Sequence, residues 1–95
     1  MQTTTTESEK VYVPVLVAFN SEGIMYPRAL VWEDGHRYDI DKVLEIRQAA
    51  AMKAGGQGDR YKIRVNGQES YLFFERSTQM TGNNIGRWFV ERRVC

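Results

Sequence analysis

The chain has 95 residues, of which 42% are hydrophobic and 26% charged, with a formal net charge of +1. That length makes one domain and excludes two, and the composition argues against disorder. Near-neutrality removes any global electrostatic attraction to nucleic acid or membrane. The charge is uneven, however: residues 1–59 hold 6 Lys/Arg against 9 Asp/Glu, and residues 60–95 hold 7 against 3, so the second half can carry a local basic surface.

Met1 to Lys10 is polar and lacks the apolar segment of a signal peptide; residues 1–10 read as a disordered tail and residues 11–95 as a single β domain. No 18-residue apolar run is present, and the single cysteine, Cys95, has no internal disulfide partner. Together these predict a cytoplasmic protein.

Val11 to Phe19 alternates Val11, Val13, Val15, Val17 and Phe19 onto one face of a strand, with Pro14 placing that strand at an edge or a bulge. Asn20 to Gly23 reads as a turn. Asp34-Gly35, between two alternating runs, predicts a two-residue hairpin turn with positive φ at both positions. That register opposes Val31 to Tyr38, gathers Ala29, Val31, Tyr38 and Ile40 on one face, and leaves Leu30 and Trp32 on the other. Asp41 to Gly56 is ambiguous between helix and strand, and a strand through about Arg47 followed by a loop or one helical turn is favoured.

Asn66-Gly67 is a second two-residue hairpin turn, joining Arg60–Val65 to Gln68–Glu75. Its apolar face is Tyr61, Ile63, Val65, Leu72 and Phe74; the opposite face carries Arg60, Lys62, Arg64, Glu69, Tyr71 and Phe73. Ser77 to Asn84 is polar and reads as a mobile connection, and Gly86 to Val94 is the last strand. The fold class is therefore mostly β: a small bent antiparallel sheet or partly open barrel of about six strands with at most one short helix. Val15, Val17, Val31, Tyr38, Ile40, Ile63, Val65, Leu72, Phe74 and Val90 are expected to supply most of the core.

Chemistry is sparse. One histidine, His36, beside a turn, and one terminal cysteine offer neither a nucleophile with its base nor a set of metal ligands. Asp34, Asp39 and Asp41 read as a solvated strand edge. No cofactor, metal or small-molecule substrate is implied. Two surfaces remain. The segment Lys53, Gly55, Gly56, Gly58 allows close backbone approach to an anion, although it lacks the phosphate-loop pattern, and it leads into Arg60, Lys62 and Arg64 with Tyr71 alongside. Cations interleaved with the aromatics Tyr71 and Phe73 suit single-stranded nucleic acid; the alternatives are ordinary cross-strand pairs, Lys62 on Tyr71 and Arg64 with Glu69, or burial of Tyr71 and Phe73 under another part of the barrel. Leu30 and Trp32 form a candidate partner surface for another protein.

Three blocks carry a resemblance: WEDGHRYDIDKVLEIR (Trp32–Arg47), AGGQGDRYKIRVNGQESYLFFE (Ala54–Glu75) and GRWFVER (Gly86–Arg92). They resemble an uncharacterised family of small bacterial domains common in clostridia. More distantly they resemble the small domain found beside or fused to Y-family translesion DNA polymerases. Ser77 to Asn84 departs from that pattern as an insertion, and Gln48 stands where similar sequences often hold a proline. The motifs are structural, so the resemblance implies a fold and a setting near a DNA polymerase or repair protein, and no catalytic residue is carried over. The expectation is a non-enzymatic β module associated with nucleic acid; a protein-interaction or structural module is the alternative.

Overall fold

The computed structural model describes residues 7–49, 58–81 and 84–94, and side chains within 9–48, 58–77 and 84–92. All regular structure among these residues is β, in eight strands: β1 (Glu7–Tyr12), β2 (Val15–Phe19), β3 (Met25–Val31), β4 (Arg37–Asp39), β5 (Lys42–Ala49), β6 (Gly58–Val65), β7 (Gln68–Thr81) and β8 (Asn84–Val94). They form two antiparallel sheets that are not closed into a barrel. One has five strands in the order β1-β8-β7-β6-β5, the other three in the order β2-β3-β4.

Two corners convert the expected six strands into eight. At the first, the Val13 N–H donates to the Trp88 carbonyl in the large sheet, and the next residue, Pro14, accepts from the Val31 N–H in the small one. Pro14 thus breaks the run Val11–Phe19 in two, since a residue without an N–H cannot continue a ladder. At the second, the Ile40 N–H donates to the Arg28 carbonyl and the Asp41 N–H to the Arg64 carbonyl, which transfers the chain from β4 to β5. Strands that switch sheets at such bends make the corners of a two-layer fold.

The core lies between the sheets. Val11, Val13, Leu30, Ile40, Tyr61, Ile63, Leu72, Phe74 and Trp88 are buried together, with Val15, Val17, Tyr38, Val65 and Val90 packed against them. Tyr61 and Phe74 each sit with ring centroids 5.0 Å from Trp88, tilted rather than stacked. The Tyr61 hydroxyl donates to the Met25 carbonyl across the layers at 3.2 Å, and burial pushes its phenol up to about 12.

Several expectations need correction. Glu7 to Lys10, assigned to the tail, pair with β8 from Glu7 opposite Val94 to Lys10 opposite Glu91. The reason is charge: Glu9 and Arg92 hydrogen-bond side by side, and Lys10 reaches Glu75, none of which hydrophobicity reveals. Residues 1–6 lie outside the described set. The Asn66-Gly67 turn is as expected, with φ of 51° and 77° and Val65 opposite Gln68. Asp34-Gly35 differs. Only Gly35 is left-handed, at φ 86°, and Trp32 bonds both Gly35 and His36, so the loop has three residues, Glu33 to Gly35. The Asp34 carboxylate accepts from the His36 N–H at 2.9 Å, which holds Asp34 out of the left-handed region. Tyr38 therefore opposes Leu30, one residue off the expected register, and Leu30 enters the core while Val31 does not join it. β5 runs as strand to Ala49, and Ser77 to Thr81 extend β7 instead of forming a loop.

Candidate nucleic-acid interface

The small sheet covers one face of the large sheet, and among the described residues no strand covers the other. The registers lay out the open face in cross-strand rows. One row is Arg47 on β5, Arg60 on β6, Phe73 on β7, Phe89 on β8 and Tyr12 on β1. Beside it lies Glu45, Lys62 and Tyr71, and beyond that Lys42, Arg64 and Glu69. On the far side Glu75 opposes Arg87. The period of two places Arg60, Lys62 and Arg64 together without further assumption. A register shift between Val43 and Glu45 is what brings both Lys42 and Arg47 onto the same face as those three.

The result is a stripe of five cations, Lys42, Arg47, Arg60, Lys62 and Arg64, interspersed with the carboxylates Glu45 and Glu69, and Glu91 lines one groove with Tyr71. Glu45 pairs with Arg47 at 3.2 Å and Glu69 with Lys62 at 3.3 Å, both well exposed and weak. No carboxylate among the described residues forms a salt bridge with Lys42 or Arg64. Two of the cross-strand pairs, Lys42 opposite Arg64 and Arg47 opposite Arg60, join like charges, which costs stability in an isolated sheet. Arg60 relieves part of this by lying 4.7 Å over the ring of Tyr71, a residue that remains 43% exposed. Lys62 opposes Tyr71 and Arg64 opposes Glu69 as expected, but the side-chain contacts run diagonally, Arg60 on Tyr71 and Lys62 with Glu69.

Toward β1 the same face closes over itself. Phe73 stacks on Phe89 at 5.1 Å, with Tyr12 edge-on and Lys10 4.9 Å above the Phe89 ring. Glu75 accepts from Lys10, from the Tyr12 hydroxyl at 3.3 Å and from Arg87 at 3.2 Å, and Arg87 lies 3.9 Å over the Tyr12 ring. The Lys10 hydrogen bond, seconded by its charge and by the bonds from Arg87 and Tyr12, holds the Glu75 carboxyl below its usual range against the opposing effect of burial. These cations are committed to Glu75, so among the described side chains the remaining positive charge on this face sits at the β5–β6 end.

The remaining expected site residues fare differently. Lys53, Gly55 and Gly56 lie outside the described residues. Gly58 is buried in the ladder opposite Glu75, and a Cβ there would stand 1.8 Å from the Phe74 carbonyl oxygen. It is therefore a close-packing glycine of β6 and contributes no exposed anion-binding backbone. Leu30 is a core residue. Trp32 is half-buried, and with Tyr38, Val65 and Val90 it lines an apolar groove of about 260 Å³ between the sheets. The exposed apolar patch expected at Leu30 and Trp32 is thus absent; exposed apolar residues lie instead at Leu16, Phe19 and Ile24. Lys42 and Arg47 escaped sequence reasoning because their placement depends on the β5 register shift. Among the described residues no three His, Cys, Asp or Glu converge as metal ligands. No family model, curated protein or solved structure matches the chain.

Proposed function

We propose that the chain is a non-enzymatic binding module that holds single-stranded nucleic acid across the open face of its five-stranded sheet. The observation that carries this is the pair of like-charge cross-strand contacts, Lys42 with Arg64 and Arg47 with Arg60, on an uncovered face beside exposed Tyr71. Such contacts are a liability in a purely structural sheet and an asset where phosphates neutralise them. Arg60 and Tyr71 form a ready stacking pair for a base, and a face only three strands wide at this end fits one strand better than a duplex groove. The resemblance to domains beside translesion polymerases favours DNA and an accessory role in repair.

The test is a fluorescence titration with single-stranded oligonucleotides at two salt concentrations, for the natural chain and for the Lys62→Glu/Arg64→Glu variant. Binding should fall with salt, and each lost phosphate contact should lower the log–log slope by about one unit. Tyr71→Ala should weaken binding by about 1–3 kcal/mol with the salt slope unchanged. An absence of binding at low salt, or equal binding by the charge-reversed variant, would remove this function and leave a protein-interaction module, for which exposed Leu16 and Phe19 are the support.

A further inference from the structure

A sheet edge offers unpaired backbone donors and acceptors to any extended chain, and proteins guard such edges with charges, proline or bulges. Three edge strands here carry charges: Glu7, Glu9 and Lys10 on β1, Arg37 and Asp39 on β4, and Lys42, Glu45 and Arg47 on β5. The fourth, β2, reads VLVAF and has none. It holds the two most exposed large apolar residues described, Leu16 at 53% and Phe19 at 60%. A bulge would also protect it, yet the register shift falls on the neighbour. Leu16 opposes Ala29 and Val17 opposes Pro27, so the extra residue is Arg28 of β3, and β2 itself stays regular.

We infer that the free edge of β2 is a self-association surface, pairing antiparallel with β2 of a second copy about a two-fold axis at Val17. No described strand pairs with that edge, and the groups a strand leaves free along its edge are matched by another strand. The uncharged sequence selects one equally apolar, and the chain's own β2 meets that condition in its own register. Val17 meets Val17 of the second copy, Leu16 meets Ala18 and Val15 meets Phe19, with no charge opposed to any other. The contact is isologous and therefore closes at two copies. It joins two three-stranded sheets into one of six strands, and it leaves the β5–β7 face open, so it stands or falls independently of nucleic-acid binding.

Sedimentation velocity of the full chain over about 5–500 μM, with amide exchange of residues 15–19 measured at both ends of that range, tests it. The expected result is a monomer–dimer equilibrium with slowed exchange in β2 at the higher concentration. Leu16→Lys and Ala18→Lys, both at exposed positions, should each weaken the dimer by at least about tenfold. Ile46→Lys, which alters an equally apolar residue on the charged edge β5, should leave it unchanged. A monomer throughout, or a dimer that survives both β2 variants without slowed exchange in β2, would overturn the inference.

Discussion

The two faces of the five-stranded sheet bury side chains equally well by different means. On the inner face Leu72 is fully buried beneath a second sheet. On the outer face Phe89 is just as fully buried, yet among the described residues no sheet lies above it. Its cover is Phe73, Tyr12 and the Lys10 ammonium above its ring, with Arg87 in turn over Tyr12 and both cations bonded to Glu75. A cation over an aromatic face is attracted by the ring while it keeps its bond to a carboxylate. The outer face thus builds a small core out of residues that composition would class as surface. That cover ends at β7, and past it the cations of β5 and β6 stand open.

The most forceful way to break this comparison is truncation on each side. Leu72→Ala and Phe89→Ala should each cost about 3–5 kcal/mol in denaturant unfolding, with the outer residue as costly as the inner one. A loss below about 1 kcal/mol for Phe89→Ala would show that the outer cluster is surface decoration.

A slightly smaller effect is expected where the two faces meet. Gly58 and Gly86 flank Phe74 and Glu75 from β6 and β8, and a Cβ at either would collide with β7 backbone, at 1.8 Å from the Phe74 oxygen or 2.3 Å from the Glu75 oxygen. Gly86 also holds φ 153°, and the Phe74 ring covers it. Gly58→Ala should cost roughly 2–3 kcal/mol by forcing β6 off β7, read as a fall in the denaturation midpoint.

Much of this was legible, and what was not has definable causes. Asn66-Gly67 announced both its turn and the register of β6 on β7, because Asn and Gly both accept positive φ. Asp34-Gly35 looked equivalent, but an aspartate that bonds the amide two residues on stays out of the left-handed region, and one added loop residue exchanged Val31 for Leu30 in the core. Arg60, Lys62 and Arg64 were legible as one face from period alone. Lys42 and Arg47 were not, since a register shift inside β5 leaves no trace in hydrophobic alternation. Glu7 to Lys10 looked like a tail because their strand is held by charge pairing across β8 and β7.

The inner face should also respond to alkali. Tyr61 is raised to about 12 by burial, above its ordinary value near 10, so the neutral phenol is what the folded state prefers. Its contribution is complete below about pH 10 and is lost as pH rises toward 12, reaching about 2 kcal/mol. Tyr61→Phe should flatten that alkaline decline in unfolding free energy, at the cost of the hydroxyl's bond to Met25 near neutrality.

The outer face should respond to acid, and more gently. Glu75 is lowered by its hydrogen bonds, Lys10 foremost, so the folded state prefers the carboxylate. Its stabilisation is present above the unfolded carboxyl range near pH 4.3 and is lost as pH falls through the folded value. Glu75→Gln keeps the shape and removes the charge on which Lys10, Tyr12 and Arg87 converge. Arg87 is largely solvated, so the loss at pH 7 should be about 1 kcal/mol. The sharper readout is slope: between about pH 5 and 3 the natural chain should lose stability faster than Glu75→Gln. High salt should narrow the gap between the two at pH 7, while leaving the cost of Leu72→Ala on the inner face untouched. If salt moved both variants alike, the cluster around Glu75 would be held by packing and not by charge.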